Sequence, residues 1–223
     1  MSEPSTESPL IAVDVVIFRV INRALHVLLI KRPIDPAEGK WALPGAILKQ
    51  GKTTVEACRD TLHHEANISI DALDFFEQLY TFDTKKGERA VTVAYMGLAS
   101  TTDLSKRNEY SPSFIRLDAL PELAFHHGNI VKYAHVRLCS KLSYTTSAHA
   151  LLPREFTLTQ LQEVYEAVFE KQLDKRNFRR KLLSLDIVEE TNKTLKAGAY
   201  RPALLYRFIS TDSSKMLDRG FDL

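Results

Sequence analysis

The chain is poor in cysteine, with only Cys58 and Cys139 in 223 residues. Both fall in helix-like patterns among apolar neighbours, so they read as reduced core thiols. A disulfide-stapled scaffold and a cysteine metal pair are therefore not expected. No apolar run approaches ~18 residues, which excludes a helix that spans a membrane. A basic-then-apolar leader is missing too. Met1–Ser8 is polar and acidic, and residues 1–9 read as a disordered start. Cytoplasm is the expected compartment. The chain also lacks a general charge surplus: 30 Lys+Arg stand against 28 Asp+Glu, a net charge of +2. Any strongly basic surface must be local.

It is local. Residues 171–207 hold 10 Lys/Arg and 4 Asp/Glu, an excess of +6. Such concentration is the electrostatic footprint of a nucleic-acid contact surface. Within it, Asp174 can cap a helix by accepting from free backbone N–H groups. Phe178, Leu182 and Leu185 then recur at helical spacing and form one inward stripe. At ~100° per residue, Arg176, Arg179 and Arg180 fall on the far side of that helix from Phe178. Leu158, Leu161, Tyr165 and Val168 mark an earlier helix, opened by Thr157 or Thr159, with a turn at Gln172-Leu173. Ile187–Thr191 and Ala203–Phe208 read as strands joined by Asn192–Pro202, which carries Lys193, Lys196 and Arg201. Helix, turn, basic helix and basic-tipped hairpin is the order of a winged helix-turn-helix. An exposed basic helix in that setting suits a DNA major groove. Lys175, Arg176, Asn177, Arg179 and Arg180 are the candidates for base edges and nearby phosphates. Lys193, Lys196 and Arg201 are candidates for flanking backbone or minor groove. Phe178 points inward and no aromatic residues interleave the basic face, which argues against an RNA-stacking platform.

The first part of the chain alternates strands and helices. Leu10–Val20 and Ala24–Ile30 read as a hairpin turning near Asn22-Arg23. A helix is expected from about Thr53 to Ala66, strands over Ser69–Phe82 and Ala90–Leu98, a short strand at Phe114–Leu117, and an amphipathic helix over Asn129–Leu142. The periodicity breaks at Ser143–Pro153, which divides the chain at 10–145 and 146–223. The neighbouring pairs His63-His64 and His126-His127 cannot chelate as an i, i+4 pair would; surface or cap histidines are expected.

The run Trp41–Ile68 resembles the Nudix box of the MutT-type pyrophosphohydrolases. Aligned on Leu43-Pro44-Gly45, Ala46 stands on the motif's first Gly and Lys52 on its first Glu. Asp60 and Thr61 stand on Arg-Glu, Leu62 on the apolar position, and His64 and Glu65 on the Glu pair. Asn67 falls on the second Gly and Ile68 on the last apolar position. In that family the helix carboxylates hold Mg²⁺ or Mn²⁺ against a diphosphate. Here Thr61, His64 and Glu65 share one arc of the helix, but Glu65 alone among them is a carboxylate, and Lys52 reverses a charge. Hydrolysis is therefore not expected, and neither a metal nor a cofactor is assigned. The competing expectation is a divergent metal-dependent Nudix hydrolase.

Past the box, the L-L-P-R-E-F-T-L-T-Q segment, L-D-K-R-N-F-R-R-K and R-P-A-L-L-Y-R-F are similar to the Nudix-related transcriptional regulators of the NrtR type. The similarity covers roughly residues 10–209. It implies an α+β chain: a Nudix-like α/β/α sandwich with a mixed sheet, followed by a winged helix-turn-helix. It also implies a homodimeric DNA-binding regulator, acting as a repressor on a near-palindromic operator. The Nudix-like domain would sense ADP-ribose or another NAD-related nucleotide. A sugar such as arabinose, as in a neighbouring branch, is the alternative effector. Lys31, Arg32 and Arg89 are the candidate cations of the ligand cleft, and Trp41 a candidate stacking surface.

Overall fold

The computed structural model describes residues 9–83, 90–101, 104, 108–196 and 202–212. Strand β1 (Leu10–Ile21) turns through Asn22 and Arg23 into β2 (Ala24–Lys31), with Ile21 opposite Ala24. Both turn residues have positive φ, 49° and 63°, the geometry whose twist matches two right-twisted strands. Short strands β3 (Trp41–Ala42) and β4 (Gly45–Ile47) follow, then helix α1 (Thr54–Ala66), β5 (Phe75–Asp83), β6 (Ala90–Leu98) and β7 (Ser113–Arg116). The sheet runs β3-β2-β1-β6-β5, with β4 added to β1 and β7 to β2. Only β1 and β6 run parallel; the other pairs are antiparallel. A bulge between Gln78 and Tyr80 explains the irregular period of β5.

Both faces of this sheet are covered, so β1 carries a near-continuous apolar run instead of alternation. Val13, Val15 and Ile17 pack with Ala57, Cys58, Leu62 and Ala66 of α1. Val16 and Phe18 face the other way, toward Ile130, Val131, Ala134 and Leu138 of helix α2 (His127–Tyr144). By strand parity, Asp14 belongs to the α2 side. The α2 helix begins two residues earlier than its apolar period suggests, which brings His127 into its first turn.

A short 3₁₀ turn, Ser147–Leu151, leads to α3 (Leu158–Phe169), α4 (Lys175–Ser184), β8 (Val188–Leu195) and β9 (Ala203–Phe208). Of the expected inward stripes, Leu158, Leu161, Tyr165 and Val168 on α3 and Phe178 and Leu182 on α4 are buried, while Leu185, the residue that ends α4, is half-buried. Thr157, not Thr159, is the α3 cap, in a reciprocal box with Gln160. Asp174 caps α4 by accepting from the Asn177 N–H at 2.8 Å. The turn between these helices is built by Glu166, whose Oε1 accepts from Gln162 Nε2 and the Leu173 N–H, both at 2.9 Å. Phe156 and Tyr206 exchange backbone hydrogen bonds of 2.9 and 2.7 Å, tying the entry of α3 to the wing. The first wing strand is longer than Ile187–Thr191. It passes a bulge between Glu190 and Thr194 and takes in Asn192 and Lys193, residues that the sequence places in the connecting loop. Arg89 and Arg201 lie outside the described residues.

Candidate functional site

Buried polar side chains gather where β1, β4, α1 and the start of α2 meet, which is the candidate ligand cleft. Gly45 lies among them: a Cβ there would collide with Asp14 Oδ1 and stand 2.9 Å from the Val13 carbonyl. The Gly45 N–H donates to Glu65 Oε2 at 3.1 Å. Burial pushes the Asp14 carboxyl up to about 7, against the opposing pull of the Arg32 guanidinium. Burial likewise pushes Glu65 up to about 7; the Gly45 N–H and Arg32 oppose it, and Asp14 adds to it.

His127 completes this group and corrects the expectation of a surface or cap histidine. It is only 6% exposed. The Leu43 N–H donates to its Nδ1 at 2.8 Å, which leaves the proton on Nε2, 3.5 Å from Asp14 Oδ1. Burial, with Arg32 and His126 adding positive charge nearby, pushes His127 down to about 4. The imidazole is thus neutral at physiological pH and serves as a hydrogen-bonded strut at the first turn of α2.

Two of the expected cations, Lys31 and Arg32, lie at the end of β2. Arg32 is half-buried, its guanidinium 5.0 Å from the Phe125 ring, its Nε donating to the Pro36 carbonyl at 2.7 Å. Lys31 stands opposite Trp41 in the sheet, with Nζ 5.2 Å from the indole centroid. Trp41 is half-buried, and its carbonyl accepts from the Ala124 N–H at 2.8 Å. The structure therefore brings Lys31 against Trp41 at the β2–β3 edge and places Arg32 within electrostatic reach of Asp14, Glu65 and His127.

The box positions divide. Thr61 and Glu65 are buried against the sheet, whereas His64 is exposed and meets the Tyr110 ring edge-on at 5.4 Å. Lys52 and Asp60, which stand on the motif's Glu and Arg, form an exposed ion pair with each other. The family's charges are exchanged at those two positions and still meet. Among the described residues no group of three or more His, Cys, Asp or Glu is placed to hold a metal ion. At the box positions on α1, Glu65 brings a carboxylate, whereas Thr61 and His64 do not.

In the second domain, Lys175, Arg176, Asn177 and Arg180 are exposed along α4, with Arg180 donating to Asn177 Oδ1 at 2.9 Å. Arg179 departs from them: it is half-buried and leans onto α3, donating to Thr159 Oγ1 at 3.2 Å. On the wing, Lys196 is exposed, and Lys193 is paired with Glu155 at 2.8 Å.

The two regions are joined through α2. Its first turn holds the cleft through His127. Its later turns hold α3: His135 Nε2 and Cys139 Sγ reach the Val168 carbonyl at 2.7 and 3.4 Å, and Tyr165 donates to the Leu142 carbonyl at 3.2 Å. Lys141 and Arg137 pair with Glu77 at 2.8 and 3.4 Å, fixing the same helix to β5. No described helix is long and apolar enough to cross a membrane.

Comparison with known proteins agrees with this layout. Residues 10–134 match the NUDIX domain model, and residues 148–208 match the NrtR DNA-binding winged helix domain. The chain is 35% identical, over 92% of its length and 84% of the relative's, to the ADPR responsive transcriptional repressor NtrR of Acinetobacter baylyi. Its fold is similar to Shewanella oneidensis NrtR complexed with a 27mer DNA: TM-score 0.77 at 26% identity, covering 95% of this chain and 99% of that one. The NUDIX domain of Shewanella oneidensis NrtR complexed with ADP ribose superposes with TM-score 0.52 at 25% identity, over 61% of this chain and 94% of that one. The chain belongs to the Nudix family, in the branch where an NrtR-type DNA-binding winged helix follows the Nudix domain.

Proposed function

We propose that the chain is a transcriptional repressor whose Nudix-like domain, residues 10–145, senses ADP-ribose or a related nucleotide. Residues 146–223 read DNA, and two copies act together on a near-palindromic operator. The observation that carries this reading is the continuity of α2, which is bonded at one end to the cleft and at the other to the helix that supports α4. The repressor similarity over 92% of the chain supports it. The diphosphate of the effector would meet Arg32 and Lys31, with the Trp41 edge offered to the base. Hydrolysis is lost. One Glu65 oxygen accepts from the Gly45 N–H, the Lys52–Asp60 pair is closed on itself, and Thr61 and His64 bring no carboxylate.

Calorimetry with ADP-ribose, run beside an assay for its cleavage to AMP and ribose 5-phosphate in Mg²⁺ or Mn²⁺, tests the reading. Saturable binding without turnover is the expected result. Metal-dependent turnover would make the chain a hydrolase.

A further inference from the structure

Arg179 stands apart from the other basic residues of α4, and its surroundings explain why. It lines a cavity of about 520 Å³ with Thr157, Thr159, Thr194 and Leu204. Its terminal nitrogen is held by Thr159, while its Nε is buried and has no hydrogen-bond acceptor among the described residues. The α3 helix of 12 residues begins at this cavity, so its positive end lies there too. The cavity sits between α4, the candidate for the major groove, and the β8–β9 wing, the candidate for the adjoining minor groove or backbone. In a duplex, the sugar–phosphate backbone is what separates those two grooves.

We propose that this cavity is a phosphodiester site: Arg179 clamps one backbone phosphate per half-site, with Thr159 orienting the guanidinium, and does not read a base. The division of labour on α4 follows. The exposed Arg176 and Arg180 face base edges and outer phosphates, and the side-leaning Arg179 sets the register. This rests on the DNA-reading function above, and it makes a separate demand, because a phosphate contact carries affinity without sequence information.

The test uses the full chain and a duplex that the unsubstituted chain enriches from a random pool. Arg179→Gln should weaken binding to the enriched and to a random duplex by the same factor, about tenfold. It should also flatten the log affinity against log salt slope by ~0.9 per protomer. The sequence that the variant enriches should be unchanged. Arg179→Lys, which keeps the charge, should retain most of the slope. Single methylphosphonates scanned along the duplex should include one position per half-site that weakens the unsubstituted chain and leaves Arg179→Gln indifferent. An altered enriched sequence would make Arg179 a base reader. Unchanged affinity and slope would leave it a brace between α3 and α4. Either result overturns the phosphate clamp while DNA reading stands, whereas failure of the unsubstituted chain to enrich any duplex overturns both.

Discussion

With Asp14 and Glu65 buried beside each other, the cleft gives folding stability a pH signature. Unfolded, the two carboxyls ionise near 3.8 and 4.5; folded, near 7. Between those values the folded chain binds more protons than the unfolded one, so their contribution is complete below about pH 4 and is lost as pH rises through 7. His127 works in the opposite direction: its contribution is present above 6.5 and is lost as pH falls toward 4. Asp14→Asn removes one buried ionisation and keeps an oxygen facing His127. Thermal melts should show the variant gaining on the parent chain between pH 5 and pH 8. The same difference at both pH values would contradict a buried, protonation-sensitive carboxyl. Arg32→Gln removes the guanidinium whose charge acts on both carboxyls. ADP-ribose affinity, measured by calorimetry, should fall about ten- to hundredfold, the scale of a lost charge-assisted hydrogen bond. An unchanged affinity would move the diphosphate elsewhere. Asp14 itself had a visible signal in the sequence: a lone charge inside the apolar run Ile11–Phe18. His127 had none, because its role depends on a hydrogen bond to a residue 84 positions away.

Among the elements, those set by local period and capping were legible, and the reason is physical. Residues Ala90–Leu98 and Leu158–Val168 carry their own periodicity and, for α3, their own cap. The first wing strand is legible as far as Thr191; its extension through Asn192 and Lys193 is not, because that polar run carries no apolar alternation and pairing with β9 alone extends the strand. The outward rotation of Arg179 was half right: the helical wheel gives its direction, and only the fold supplies the Thr159 hydroxyl that draws it sideways. Removing packing from the reading head should separate the two domains' functions. Leu182 is fully buried, so Leu182→Ala should destabilise by about 2–5 kcal/mol. It should abolish DNA binding in anisotropy while ADP-ribose calorimetry stays near the parent value. At the joint, Tyr165→Phe deletes the bond to the Leu142 carbonyl and should cost about 1 kcal/mol in denaturant melts. Loss of nucleotide binding in Leu182→Ala would show that the cleft cannot stand without the winged helix.

At the scale of the whole molecule, one apolar cluster runs from the sheet through α2 into α3, α4 and both wing strands. A change at the cleft therefore meets α2 as a packed unit and not as a loose tether. Its first turn is bonded to Leu43 and faces Asp14, and the Trp41 carbonyl holds the segment just before it. A nucleotide can shift DNA affinity only if it binds the DNA-competent and DNA-free arrangements differently. The direct measurement is fluorescence anisotropy of a labelled duplex from the region upstream of the chain's own gene, titrated with protein and then with ADP-ribose. A sensor-repressor gives tight, salt-sensitive binding whose midpoint moves when ADP-ribose is added, by a factor that Arg32→Gln reduces. Tight binding that is indifferent to ADP-ribose at saturating occupancy would contradict the coupling of cleft to reading head.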